Sequence, residues 1–182
     1  MASDNEIMLD VKNGDVDRLG ILFDRYHKHL FNYFLSGTQR RDASDDLVQE
    51  VFLRMLKYRG SFKDDGVFKV WMFSIAANAR KDYYRKHSVR HEAIENAGDI
   101  VDLGPSPEDN VMLDDDIESL KKALKLLPHD MREVIVLSRY QNMRYKEIGE
   151  VVGCSEGAVK VRVHRAMKEL TGIYHTLTGQ SS

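Results

Sequence analysis

The segment YKEIGEVVGCSEGAVKVRVHRAMKEL, Tyr145 to Leu170, constrains the fold of this chain more than any other stretch. Tyr145, Ile148 and Val152 place one apolar face on a short helix. Gly149 lies on that helix where a neighbouring backbone can approach closely. Gly153 suits the left-handed residue that ends a helix, and Ser155 suits the N-cap of the next. Val159, Val163, Ala166 and Leu170 then recur at helical spacing. Lys160, Arg162, Arg165 and Lys168 occupy the remaining surface. The pattern predicts a helix-turn-helix whose second helix is basic, a shape and charge suited to a DNA major groove. The competing reading is a plain helical hairpin with a solvated basic face.

The rest of the chain is also helical in pattern. Leu19, Leu22, Phe23, Tyr26, Leu30 and Phe34 follow a 3.6-residue period, as do Leu47, Val48, Val51, Phe52, Met55 and Leu56. GSFKDDG, Gly60 to Gly66, reads as a polar loop. VFKVWMFSIAANA, Val67 to Ala79, is apolar nearly all round and is expected to be the most buried helix of an N-terminal bundle. Helical spacing returns with Ile117, Leu120, Leu124 and Leu127, and Pro128 interrupts it. The expected fold is all-α, with two small helical domains. Residues 1–90 form the first, 91–113 an acidic flexible linker, and 114–182 the second.

Charge is segregated along the chain. The net charge is −2, yet residues 92–118 carry ten acidic side chains and no Lys or Arg. Residues 120–170 carry eleven Lys/Arg against six Asp/Glu. Arg80, Lys81, Arg85, Lys86 and Arg90 form a second basic cluster. A near-neutral total therefore does not argue against a polyanionic partner. The acidic stretch could mask the basic surfaces, mimic nucleic acid in a basic channel, or serve as a solubilising tether. The acidic start MASDNEIMLD does not look like a signal peptide, and no apolar run reaches the length of a membrane span. The single cysteine, Cys154, excludes an internal disulfide and reads as a small half-buried side chain. The histidines show no metal-ligand spacing with it, so no metal or other cofactor is expected. No phosphate-binding glycine loop or nucleophile–base constellation points to an enzyme.

Four segments carry a family resemblance. LFDRYHKHLFNYF (Leu22–Phe34), DLVQEVFLRML (Asp46–Leu56), FKVWMFSIAANARKDYYRK (Phe68–Lys86) and Leu127–Leu170 together resemble the extracytoplasmic-function (ECF) sigma factors, in the same order and spacing. The resemblance implies a non-enzymatic, cytoplasmic bacterial protein that binds core RNA polymerase, recognises promoter DNA and helps open it. It implies contacts to the polymerase β′ coiled coil and β flap. It also implies control by an anti-sigma protein, which could hold the chain at the membrane without any membrane insertion of its own.

Site residues follow from the same likeness. The Asp46–Leu56 helix resembles the polymerase-binding helix, with Asp46, Gln49, Glu50 and Leu53 on its docking face. The −10 element would be read by Arg59, Ser61 and Lys63 of the loop, with Asn78 supplying a donor and an acceptor to a base edge. Arg80, Lys81, Arg85 and Lys86 would track phosphate. Trp71 and Tyr83 could stack on bases, although helical spacing favours core positions for both. The −35 element would be met by Lys160, Val161, His164 and Arg165 in the groove, with Arg144, Tyr145 and Arg162 on phosphate. A free-standing helix-turn-helix regulator is the alternative, and it would be expected to form a dimer on a two-fold-related site.

Overall fold

A computed structural model describes residues 2–87 and 114–179. The acidic linker expected at 91–113 therefore lies outside the described residues. Those residues form eight α-helices with short 3₁₀ and π segments, and no strand occurs among them. The helices are α1 (Asp4–Lys12), α2 (Leu19–Thr38), α3 (Arg41–Lys57), α4 (Phe68–His87), α5 (Asp114–Leu126), α6 (His129–Ile135), α7 (Tyr145–Val152) and α8 (Glu156–Thr178). The all-α expectation, with an N-terminal bundle and a C-terminal helix-turn-helix unit, matches this architecture.

Helix α1 starts on a reciprocal cap. Ser3 Oγ accepts from the Glu6 N–H at 3.3 Å, and the Glu6 carboxylate accepts from the Ser3 N–H at 2.7 Å. The helix buries Ile7, Met8 and Val11. Its Asn5 side chain accepts from the Phe68 N–H at 2.8 Å and donates to the Gly66 carbonyl at 2.6 Å. One amide thus closes the end of the polar loop and supplies a partner at the start of α4.

Helices α2, α3 and α4 form the N-terminal core. Leu22, Leu30 and Phe34 from α2 meet Val51 and Met55 from α3 and Met72, Phe73 and Ala76 from α4, all fully buried. Burying an aliphatic or aromatic side chain of this kind contributes about 1.5–3 kcal/mol, so the bundle rests mainly on these stripes. The C-terminal unit wraps α5, α6 and α7 around α8. Val159, Val163, Ala166 and Leu170 face inward there with Leu124, Leu127 and Val134.

The two units dock. Helices α2 and α4 pack against α6, α7 and the π segment Val136–Tyr140, and the buried apolar cluster is continuous across the seam. The π segment closes on a bond from the Gln141 N–H to the Val136 carbonyl at 3.0 Å. Arg132 bridges the seam. Its guanidinium donates to the Ser36 carbonyl in the last turn of α2 and to the Lys125 and Leu127 carbonyls at the end of α5, at 2.6, 2.6 and 2.7 Å. A cation here satisfies carbonyls that two helix ends would otherwise leave bare.

Candidate nucleic-acid and polymerase interfaces

The helix-turn-helix is built from its own local chemistry. Glu147 accepts from the Arg144 N–H at 2.7 Å and caps the start of α7. Gly153 adopts φ +76°, and the N–H groups of Gly153 and Cys154 both bond to the Gly149 carbonyl, at 2.8 and 3.0 Å. A Cβ at Gly149 would lie 2.6 Å from the Cys154 carbonyl oxygen, which explains why this helix position has no side chain. Ser155 Oγ accepts from the Ala158 N–H at 3.2 Å and starts α8.

With Val159, Val163 and Ala166 turned inward, Lys160, Val161, His164, Arg165 and Lys168 stand exposed along the opposite side of α8. Val161 is 51% exposed and adds an apolar spot to this cationic side of the helix. Arg144 is exposed. Tyr145 is half-buried against the core, and Arg162 leans towards Asp130 at 4.0 Å. The arrangement presents a cationic helix with one apolar patch, open to an approaching duplex.

Helix α3 divides cleanly into two faces. Leu47, Val48, Val51, Phe52 and Met55 are buried, while Asp46, Gln49 and Leu53 are exposed. Leu53 is 63% exposed. Glu50 is less free, because Arg54 pairs with it at 2.6 Å and reaches on to Asp82 of α4 at 2.9 Å. The same arginine therefore ties α3 to α4.

The loop ahead of α4 opens with a 3₁₀ turn, Arg59–Ser61. Arg59 donates to the Leu56 carbonyl at 2.8 Å, and Ser61 Oγ donates to the Tyr58 carbonyl at 2.7 Å. Trp71 Nε1 donates to Ser61 Oγ at 3.3 Å, and its ring lies against Phe62 with centroids 5.3 Å apart. Tyr83 stacks on His87 at 4.2 Å. Both rings pack against the core as partly buried residues. Lys63, Asn78, Lys81, Arg85 and Lys86 are exposed, with Arg85 held to Asp82 at 3.0 Å.

Arg80 departs from this row. It is 3% exposed, and its guanidinium pairs with Glu133 of α6 at 2.5 Å. Tyr33 Oη donates to the same carboxylate oxygen at 2.9 Å, and the guanidinium lies 4.9 Å from the Tyr33 ring centroid. Burial, together with Glu133, pushes the Tyr33 hydroxyl well above its ordinary range, so it stays a donor. Gly37 leaves room for this cluster, since a Cβ there would meet Tyr84 Oη at 3.3 Å, Arg80 Cδ at 3.5 Å and His129 Nε2 at 3.6 Å. Residue spacing along α4 places Arg80 correctly on the helix but carries no sign of a partner more than fifty residues away.

Among the described residues no cluster of His, Cys, Asp and Glu could hold a metal ion. No described helix is long and apolar enough to cross a membrane.

Residues 22–90 match the family model of sigma-70 region 2, and residues 117–170 match that of sigma-70 region 4. The ECF RNA polymerase sigma factor BldN of Streptomyces coelicolor is 29% identical over 169 residues, covering 91% of this chain and 63% of that protein. The chain thus spans just under two thirds of BldN. The ECF RNA polymerase sigma-E factor of Escherichia coli K12 is 26% identical over 179 residues, covering 92% of each chain. Among solved structures, CnrH in complex with the cytosolic domain of CnrY is similar with a TM-score of 0.72 at 25% identity, covering 95% of this chain and 97% of that one. The sigma factor RpoE in complex with the anti-sigma factor NepR, from Bartonella quintana, shares the fold with a TM-score of 0.67 at 24% identity, covering 85% and 94%.

Proposed function

Since the chain belongs to the ECF sigma factors of the sigma-70 family, we propose that it directs bacterial core RNA polymerase to a set of promoters and helps open them. The observation that carries this reading is the pairing, in one chain, of region 2 and region 4, each presenting a surface suited to its target.

Polymerase docks on α3. Leu53 supplies an exposed apolar anchor, with Asp46, Gln49 and Glu50 as its polar rim. The β′ coiled coil is the partner of this face, and the β flap that of the C-terminal unit. The −35 duplex is met by α8. Lys160 and Arg165 can donate to guanine O6 and N7, and each such contact discriminates by about 1–3 kcal/mol. Val161 packs on a thymine methyl, His164 lies beside it, and Arg144, Tyr145 and Arg162 meet phosphate.

The −10 step needs single-stranded DNA. Arg59, Ser61 and Lys63 would receive an extruded base, and Asn78 would offer a donor and an acceptor to its edge. Lys81, Arg85, Lys86 and, once accessible, Arg80 hold the backbone. The chain contributes recognition and strand capture, and the polymerase performs the chemistry. An anti-sigma protein would supply regulation, a partner of the kind that RpoE of Bartonella quintana has in NepR. Residues 1–90 and 114–182 serve as the two functional domains, with 91–113 as their acidic connector.

Reconstitution tests this reading. Core polymerase is supplied with the chain and fragmented genomic DNA from the same bacterium, and transcript starts are mapped. The expected result is a set of starts that require the chain and share upstream elements at −35 and −10. Binding of the chain to duplex DNA with no polymerase-dependent starts would favour a free-standing regulator.

A further inference from the structure

We infer that Glu133 is an intramolecular latch, a carboxylate that occupies Arg80 in place of nucleic-acid phosphate and holds the two units closed. The inference rests on the proposed function only for the role of Arg80 in DNA binding. The closing contact stands on the geometry alone.

Four cations on α4 lie in the stretch expected to follow the −10 strand, and three of them are exposed. The fourth, Arg80, is sealed against the C-terminal unit. Its partner is an oxyanion, as a phosphate would be. Glu133 is positioned for this task, because Tyr33, fully buried, donates to the same oxygen that Arg80 engages. The guanidinium is further held over the Tyr33 ring.

The polar contacts around it lie on the same seam. Arg132 reaches the Ser36 carbonyl, Lys69 Nζ donates to the Gln141 carbonyl, and the Gln141 side chain meets His29 Nδ1 at 3.0 Å. Arg132, Glu133 and Gln141 flank the π segment, so one short stretch supplies the C-terminal side of each of these contacts.

Closure is selective. The exposed face of α3 and the basic face of α8 both remain open while Arg80 is covered. The closed chain can therefore meet polymerase and duplex DNA, but it cannot present its full cationic row to a melted strand. Opening exchanges Glu133 for phosphate at Arg80, and both partners regain water or a new counter-charge. Removing the carboxylate alone would strand a buried guanidinium, which drives the seam apart.

The test uses the full chain and three variants, Glu133→Gln, Tyr33→Phe and Arg80→Gln. Small-angle scattering gives the radius of gyration, and fluorescence anisotropy gives affinity for a mixed-sequence single-stranded 20-mer. Circular dichroism establishes that each variant keeps its helices. The expected result is a larger radius for Glu133→Gln and at least tenfold tighter strand binding. Tyr33→Phe, which removes only one hydroxyl, should move both readouts the same way by less. Arg80→Gln should expand without gaining affinity. A Glu133→Gln chain as compact as wild type overturns the latch. Should Glu133→Gln lose its helices, Tyr33→Phe decides: no change in either readout overturns the proposal. Expansion of Glu133→Gln without tighter strand binding also overturns the exchange, and places the error in the DNA role of Arg80 rather than in closure.

Discussion

Adding one methyl group at Gly149 should separate the turn's geometry from general helix stability. A Cβ there would sit 2.6 Å from the Cys154 carbonyl oxygen, so the turn must give by about 0.8 Å to reach ordinary contact near 3.4 Å. It cannot give freely, because the Gly153 and Cys154 N–H groups are both bonded to the Gly149 carbonyl. Overpacking of this kind costs about 1–3 kcal/mol. Alanine's better helix propensity offsets about 1 kcal/mol of that. The net loss is about 1 kcal/mol, or about 2–4 °C in Tm for a chain of this size. Gly172 provides the control. It lies within α8, where a Cβ would have nothing within 4 Å. Gly172→Ala should therefore raise stability by about 0.4–1 kcal/mol. Thermal unfolding followed by circular dichroism reads both, and duplex binding should weaken only in Gly149→Ala. Shifts of the same sign in the two variants would refute the close-approach argument.

Other perturbations test separate parts of the molecule. Arg132→Leu removes a donor shared by three carbonyls, at about 1 kcal/mol each, so Tm should fall by about 6–12 °C; a fall under 2 °C would mean the carbonyls find other partners. Arg165→Ala should weaken binding to a −35 duplex and relax base preference there, measured by competition among mutated duplexes; equal loss on every sequence would make Arg165 a phosphate contact. The His129 ring meets Tyr84 edge-on and its Nε2 faces Gly37 of α2, so the imidazole is shielded at the seam although the residue as a whole is exposed. Burial, and then nearby Arg80, hold its imidazole down to about 4 from an ordinary 6.5. The folded state thus favours neutral His129, so its contribution is complete above pH 6.5 and is lost as pH falls towards 4. Tm should drop across that window more in wild type than in His129→Gln; parallel curves would contradict the assignment.

What the sequence reveals follows from how local each interaction is. The helix-turn-helix is legible because Gly149, Gly153 and Ser155 act within a few residues of one another. The faces of α3 are legible because helical spacing alone separates Leu47, Val51 and Met55 from Asp46, Gln49 and Leu53. Helix α1 is too short for periodicity to mark it, although Ser3 and Glu6 carry a capping-box signal directly before Ile7, Met8 and Val11. The seam is different in kind. Glu133, Arg132 and Gln141 look like ordinary polar positions on a helical stretch, and their partners Tyr33, Ser36 and His29 lie about a hundred residues away. Arg80 shows the consequence, since its charge and helix position point to phosphate while its burial comes from the other unit.

The most direct measurement is the affinity of the chain for bacterial core RNA polymerase, compared with a Leu53→Asp variant. Leu53 is the better probe than Glu50, because Glu50 is tied to Arg54 and a change there would also disturb the link to α4. The wild type should bind tightly, and a variant that keeps its helices should lose roughly thirtyfold or more, the effect of removing an anchor worth about 2 kcal/mol. A wild-type chain that fails to bind, or a Leu53→Asp chain that binds as well, would contradict polymerase docking on α3.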